Sequence, residues 1–441
     1  MSFVSELKEA LVGDPDARFV FLGNFEVERL WAVGSPQLPG AAVSFAASTV
    51  NRMEELGLLL ADTHDVVVLK SEVDEEYRRY LQSVGVRLPR TLVVDANHPE
   101  ATVTQDAVAS PRLLSALRQL NDGNTYLCPL GTSEVEMTLS ELSGLPLSGP
   151  PANICRAVNS KVYSRRLCEE LSLPVVPGGV AQSIGELGEL IAHHRPDGGT
   201  CTVKEPLGVS GRGQVVIRSE RQAASLLRML AKKAGALEFV VESWIPDAID
   251  INYQVLISRH GEISIQAIKE AVVVDGVHRG HRFPAQLSER QRSELLLAGM
   301  AIGRRLFADG YFGIAGIDAL VSSTGTVFPC LEINARFNMS TYQNNLFGES
   351  SGRVGRAVQF GILVDQPVRF SALRDALSDT LAEGLDGHGI LVTNFATVNA
   401  AVVSGKSGKG RLYGVITGSS EQEVASIQDR SEKALSEWSA A

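Results

Sequence analysis

The sequence predicts a multidomain protein of α/β and α+β class, and three observations carry that prediction. The chain has 441 residues, enough for two to four domains at roughly 100–200 residues each. Residues 1–150 alternate short apolar runs with stretches of helical periodicity, the pattern of a mainly parallel sheet. From residue 250 onward, strands follow one another across short turns, the pattern of antiparallel pairing.

In chain order, apolar runs at 19–22, 66–69, 92–94 and 126–129 read as buried strands, with helical spacing at 51–60, 72–84 and 111–120. No G-x-G-x-x-G follows the first strand, so a dinucleotide-binding first domain is not supported. The turn-rich LSGPPAN at 147–153 marks a boundary. A helix over 161–171 follows, with Asn159 or Ser160 as its cap and Pro174 as its stop. Strands are expected at 200–204, 215–217 and 239–242, with a helix over 220–233 between the last two. Two alternating strands cover 250–268, turning at 259–261. Residues 277–285 read as a loop rich in His and Arg, and 288–307 as a long helix. A hairpin pairs 314–320 with 327–333 around 322–325. The last 80 residues carry helix, strand, strand and helix patterns, expected as an appended α+β module. The domains expected are thus 1–152, 153–240, 241–362 and 363–441.

Composition narrows the function classes. With 41 basic and 51 acidic residues the formal charge is −10, lacking the basic footprint of a nucleic-acid binder. No apolar run reaches the length of a membrane span, and the N-terminus lacks a basic start followed by an apolar stretch. The five cysteines are scattered and lack a C-x-x-C pair, which argues against a disulfide framework or a zinc site. Together these predict a cytoplasmic protein that engages neither nucleic acid nor membrane.

The chemistry-bearing residues lie between 161 and 336. Lys161 opens a helix. Lys204 ends a strand and precedes a glycine-rich loop containing Gly208, Ser210, Gly211 and Gly213. Lysines supply compact positive charge to polyphosphate, and glycines let backbone N–H groups close over phosphate oxygens. Glu242 ends the next long strand, and Asp250 follows eight residues on. Asp318, Glu332 and Asn334 offer only oxygen donors, which suits magnesium, and residues 332 and 334 share one strand face by the period of two. Arg336 is in phase with them and is placed to meet an anionic substrate or a transferring phosphoryl group. Each motif alone is weak; their order and spacing carry the reading.

In that order and spacing the chain resembles the ATP-grasp superfamily of carboxylate–amine ligases, over about residues 153–346, behind a family-like, Rossmann-like parallel-sheet domain. The resemblance implies that Lys161 and Lys204 hold nucleotide phosphates and that the 208–213 loop covers them. It implies that the backbone of Glu242, Ser243, Trp244 and Ile245 meets adenine, that Asp250 stands where a ribose-binding glutamate is usual, and that Asp318, Glu332 and Asn334 hold magnesium. The cofactors implied are ATP and two magnesium ions, with manganese as the alternative metal. Glu205 between Lys204 and Pro206 departs from the commoner Lys-Pro.

Within the superfamily, NSKVYSRRL, GVSGRG and CLEINARFN resemble the peptide ligases of the pheganomycin type. That resemblance implies an antibiotic-biosynthesis enzyme joining a guanidino- or amino-acid carboxylate to a peptide N-terminus through an acyl phosphate. Arg336 and Lys204 are then the catalytic candidates. His278, His281 and Arg282 are candidate holders of a substrate carboxylate, read equally well as a solvated loop. The expected partners are a small carboxylic acid and an amine or peptide, with a homodimer as the candidate assembly. Rival readings are a dipeptide-forming amino-acid ligase and a non-enzymatic ATP-binding regulator.

Overall fold

The four apolar runs of the N-terminal region pair side by side, all parallel. They are β1 (Arg18–Leu22), β2 (Val66–Leu69), β3 (Arg90–Val93) and β4 (Thr125–Pro129), in the order β3-β2-β1-β4. The structure is a computed structural model describing residues 2–39, 47–195, 198–208, 213–232, 237–274, 277–344, 346, 353–403 and 408–440. Phe19, Phe21, Val67 and Leu69 join one core, while Val20, Leu22, Val66 and Val68 join a second on the opposite face. A sheet buried on both faces needs continuous apolar strands, which is what the sequence supplies.

Helices Glu75–Ser83 and Pro111–Gln119 form where the periodicity placed them. The helix expected over 51–60 does not. It is broken into a 3-10 turn, Met53–Leu56, and one helical turn, Gly57–Leu60. Tertiary contacts override the periodicity, because Glu54 and Glu55 are turned inward as hydrogen-bond acceptors. Glu54 Oε1 takes Arg52 Nε at 3.0 Å and the Lys70 amide at 3.1 Å.

A second sheet contains β5 (Gly178–Ala181), β6 (Cys201–Lys204), β7 (Gln214–Ile217) and β8 (Phe239–Ser243), antiparallel in the order β5-β8-β6-β7. Helices Ile184–His193 and Glu220–Leu230 bury Leu187, Ile191, Ala223, Leu226 and Leu230 against it.

The third sheet has eight strands: β9 (Ile249–Ile257), β10 (Ile263–Val274), β11 (Val277–Phe283), β12 (Gly313–Val321), β13 (Val327–Asn334), β14 (Val354–Val364), β15 (Gly389–Asn394) and β16 (Gly408–Gly418). They run β13-β12-β9-β10-β11-β14-β16-β15, antiparallel throughout. Two expectations change here. The segment read as a loop at 277–285 contains strand β11, which pairs with β10 on one side and β14 on the other. The boundary expected at 362/363 falls inside β14, so the C-terminal strands continue the large-lobe sheet instead of forming a separate module. Helix Glu289–Ala308 starts at a capping box in which Ser288 and Gln291 exchange bonds. All five cysteines are buried as thiols, and among the described residues no helix is long and apolar enough to cross a membrane.

The C-terminal strands also grip the N-terminal domain. Tyr77 Oη donates to the Val392 carbonyl at 3.2 Å, and Tyr77 and Tyr80 pack on Phe370 with ring centroids 5.1 and 5.0 Å apart. Glu55 Oε2 accepts the Phe395 and Ala396 amides at 2.7 and 2.8 Å. Burial pushes the Glu55 carboxyl up to about 7, with the two amides and Arg52 opposing it. The folded state therefore holds this proton more tightly than the unfolded chain does. Its stabilisation is complete below about pH 4.5 and is lost as pH rises through 7. Relative to Glu55→Gln, the wild type should lose on the order of 3 kcal/mol between pH 4.5 and 7.5. Urea midpoints across that range check it; parallel curves for the two proteins would contradict it.

Candidate active site

Strands β12 and β13 place the acidic residues. Asp318 and Glu332 are direct cross-strand partners, and Asn334 lies opposite Gly316. On the other side of β12, Asn252 pairs with Asp318. Asp318 Oδ1 accepts from Asn252 Nδ2 at 2.7 Å, and its Oδ2 from Asn334 Nδ2 at 3.0 Å. Burial, with the nearby Glu332 carboxylate, pushes the Asp318 carboxyl up to about 6 despite those two bonds. Two carboxylates facing each other in a partly buried setting call for positive charge between them. Two carboxylates and one carboxamide match a magnesium site whose remaining positions fall to phosphate oxygens and water, so the residues present fit that ion. Among the described residues, no three His, Cys, Asp or Glu side chains cluster to hold a metal without such help.

Helix Lys161–Glu170 is stitched along β13. Lys161 Nζ donates to Glu332 Oε1 at 2.6 Å and to the Gly208 carbonyl at 3.0 Å. Ser164 Oγ accepts the Ile333 amide at 3.0 Å. Ser160 holds the N-cap position without a side-chain cap bond. Asn159 serves β13 instead: its Oδ1 accepts the Ala335 amide at 2.9 Å, fixing the backbone between Asn334 and Arg336.

In the β5–β8 sheet, Lys204 Nζ meets Glu242 Oε2 at 2.5 Å. Burial alone would lower the pKa of this ammonium, but Glu242, with Glu332 and Asp318, outweighs burial and the net shift is upward. Lys204 pairs with Gln214 across the base of the glycine loop. Gly213 there has φ +77°, and a Cβ on it would lie 2.6 Å from Glu205 Oε2. Glu205, the departure from Lys-Pro, accepts the Leu38 amide at 2.6 Å and ties the loop base to the N-terminal domain. Ser210 and Gly211 lie outside the described residues.

One cavity of about 640 Å³ gathers these groups. Its lining includes Lys204, Glu242, Ser243, Trp244, Ile245 and Asp250 together with Asp318, Glu332, Asn334 and Arg336. Burial raises the Asp250 carboxyl above its usual range, with Lys204 opposing. His281, buried on β11, also lines the cavity. Arg282 does not. It points to the opposite sheet face, where its guanidinium lies 3.4 Å from Glu270 and 3.8 Å from Glu421. The expectation that Arg282 joins the substrate site therefore fails, because adjacent strand residues face opposite ways. The same ion pair occupies Glu270, and its bond to Leu38 occupies Glu205, so neither presents itself as a general base. The His278 side chain lies outside the described residues.

Sequence reasoning missed three residues here. Asn252 was legible: Asp250, Asn252 and Gln254 alternate with apolar residues and share a face. Asn338, hydrogen-bonded to Gln254 at 2.6 Å, stands against Gly316, where an added Cβ would meet its amide at 2.2 Å. Glu28 gave no signal. It reaches across from the N-terminal domain, and its Oε1 accepts Arg336 Nε at 2.5 Å.

Comparison with known proteins places this geometry. Residues 53–145 match the pre-ATP-grasp domain family and 166–336 the ATP-grasp domain family. The chain is 30% identical over 301 residues to the [butirosin acyl-carrier protein]–L-glutamate ligase of Niallia circulans, a match covering 66% of each chain. It is 27% identical over 291 residues to the formate-dependent phosphoribosylglycinamide formyltransferase of Parabacteroides distasonis, covering 63% of this chain and 70% of that one. Against the methylcrotonoyl-CoA carboxylase α subunit of Arabidopsis thaliana, the match spans 28% of the relative's length. Among solved structures, N5-carboxyaminoimidazole ribonucleotide synthetase from Thermus thermophilus superposes with TM-score 0.52 at 15% identity, over 95% of this chain and 98% of that one. The biotin carboxylase–β,γ-ATP complex from Campylobacter jejuni does so with TM-score 0.54 at 14% identity, over 89% and 93%. These two likenesses show the fold. With its two family domains in the expected order, the chain belongs to the ATP-grasp superfamily of carboxylate–amine ligases.

Proposed function

We infer that this protein is an ATP-dependent ligase that joins a carboxylic acid, of guanidino- or amino-acid type, to the N-terminus of a peptide. The observation that carries the reading is that Lys204, Asp318, Glu332 and Asn334 line one cavity, with Lys161 bonded to Glu332 and to the Gly208 carbonyl. A carboxylate oxygen attacks the γ-phosphorus of ATP, the bond to ADP breaks, and an acyl phosphate forms. The amine then attacks the acyl carbon, phosphate leaves with its oxygen, and the amine gives up a proton. Held by Asp318, Glu332 and Asn334, magnesium would neutralise charge on the phosphoryl oxygens. Lys204 and Lys161 exchange their present carboxylate partners for nucleotide phosphates. Arg336, fixed by Glu28 and Asn334, aims its charge at the phosphoryl acceptor.

The products should be ADP and phosphate, dependent on both an acid and an amine, and hydroxylamine should trap the acyl phosphate as a hydroxamate. AMP and pyrophosphate would indicate adenylation and end this reading; ATP turnover needing neither co-substrate would favour the regulatory one. A second reading rests on the 30% identity to the butirosin ligase, which acts with an acyl-carrier protein by its name. In it the nucleophile is borne on a carrier protein, and covalent labelling of an added carrier would separate it from free-peptide extension.

A further inference from the structure

Next to the two lysines assigned to the nucleotide lies a contact that the nucleotide chemistry does not require. Residues 206–208 hold Lys161 twice: its amide donates to the Pro206 carbonyl at 2.8 Å and its Nζ to the Gly208 carbonyl at 3.0 Å. Lys204 ends β6 just before them. Glu205, buried, is the residue in between. Its amide donates to the Gly213 carbonyl at 2.7 Å across the base of the glycine loop, and its Oε2 fills the space that a Cβ on Gly213 would need. Its Oε1 accepts the Leu38 amide at 2.6 Å. A carboxylate on a buried backbone donor makes one of the stronger hydrogen bonds.

Two leucines flank this bond, and each is buried outside its own lobe. Leu38 follows the N-terminal helix Val27–Trp31 in sequence, yet it joins the core of the β5–β8 lobe with Leu187, Val203 and Ile217. Leu207 leaves β6 of that lobe, yet it joins the core shared by the N-terminal domain and the large lobe. Withdrawing either anchor would expose apolar surface, and withdrawing Leu38 would also break a buried charged bond. The segment that carries Leu38 is held along its length. Arg156, on helix Ala152–Val158, donates to the Trp31 carbonyl at 2.7 Å and to Ser35 Oγ at 3.2 Å. Residues 28–38 therefore run from Glu28, which holds Arg336, to the base of the glycine loop. Neither Leu38 nor Glu205 lines the cavity.

We propose that Glu205 is a positioning residue for the nucleotide: it docks the β5–β8 lobe on Leu38 and thereby sets Lys204, Lys161 and the loop base against the ATP phosphates. The N-terminal domain then contributes to ATP affinity through Leu38 without touching ATP. This rests on the reading above only in giving the two lysines to the phosphates. The departure from Lys-Pro at 204–205 acquires a physical reason. Proline has neither the amide that meets Gly213 nor the carboxylate that meets Leu38. The two ends of the 28–38 segment act on different groups, Glu28 on Arg336 and Leu38 on the phosphate lysines.

The test uses the full chain, magnesium and β,γ-imido-ATP in titration calorimetry. The dissociation constant reports on the site, whereas the stoichiometry counts folded molecules, so partial unfolding lowers the second without raising the first. Glu205→Ala should weaken binding about tenfold, the worth of one charged hydrogen bond. Glu205→Gln keeps an oxygen for the Leu38 amide and should stay within about threefold of wild type. Leu38→Ala keeps that amide and removes only the apolar anchor. It should weaken binding in the same direction, and it serves if Glu205→Ala misfolds. Wild-type affinity in either alanine variant overturns the anchor alone, as does a loss in Glu205→Gln equal to that in Glu205→Ala. A wild-type protein that does not bind the analogue overturns the nucleotide assignment, and the anchor with it.

Discussion

Glu332→Ala should abolish ADP formation, with kcat lowered on the order of 10³-fold or more. Three roles are lost at once. The carboxylate is one of two facing each other across β12–β13. It anchors Lys161 at 2.6 Å, and through Lys161 it is tied to the Gly208 carbonyl at the start of the glycine loop. Its alanine variant keeps a lone Asp318, relieved of the nearby negative charge that helps hold its carboxyl up near 6. The side chain of Glu332 is 22% exposed, so its removal leaves no large cavity, and the variant should melt within a few degrees of wild type. Glu332→Gln, which keeps the shape and one oxygen donor, should fall between the two. Near-normal turnover of the alanine variant at saturating magnesium would remove the metal assignment. Loss of activity together with loss of the cooperative melt would mean that Glu332 is structural instead.

What could be read from the sequence follows from which contacts are local. The parallel strands were legible because a sheet buried on both faces writes itself as unbroken apolar runs, as in VVVL at 66–69. The β12–β13 hairpin was legible from its turn at 322–325, which pairs Val321 with Val327 and Leu320 with Phe328; the irregularity between Asp318 and Leu320 that brings Asp318 opposite Glu332 was not. Strand β11 was hidden for a physical reason: its inner face meets a polar cavity instead of a core, so His281 and Arg282 look alike in composition although they point opposite ways. The union of β14 and β16 with the large-lobe sheet was hidden as well. It depends on β11 pairing with β14 some 70 residues away, which no local pattern encodes. The same holds for Glu54 and Glu55, acidic residues on an apparently helical stretch whose partners lie up to 341 positions along the chain.

Glu28→Ala should cost both activity and stability, and the two losses can be separated. Glu28 comes from the short helix Val27–Trp31 of the N-terminal domain, yet it is the ion-pair partner of Arg336, 308 residues away. Both side chains are largely buried, 6% and 13% exposed. The remaining guanidinium donors go to the Phe337 carbonyl at 2.8 Å and to Asn334 Oδ1 at 3.1 Å, so Glu28 completes the frame that holds Arg336 beside the Asn334 amide. Removing one partner of a buried pair leaves the other uncompensated and costs about 3–5 kcal/mol. Arg336 should then turn toward the vacated space, and kcat should drop on the order of 10²-fold as its charge leaves the reacting phosphoryl group. Glu28 acts here as a positioning residue, so the KM for ATP should change little while kcat falls. Glu28→Gln keeps an oxygen acceptor for the Arg336 Nε–H and should recover part of the loss. Added formate, a small carboxylate that fits the space left in Glu28→Ala, should restore kcat in part, whereas an effect confined to folding would not respond to it. A Glu28→Ala protein with wild-type kcat, or one whose activity merely tracks its folded fraction, would remove Glu28 from the mechanism and leave the pair as a bolt between domains.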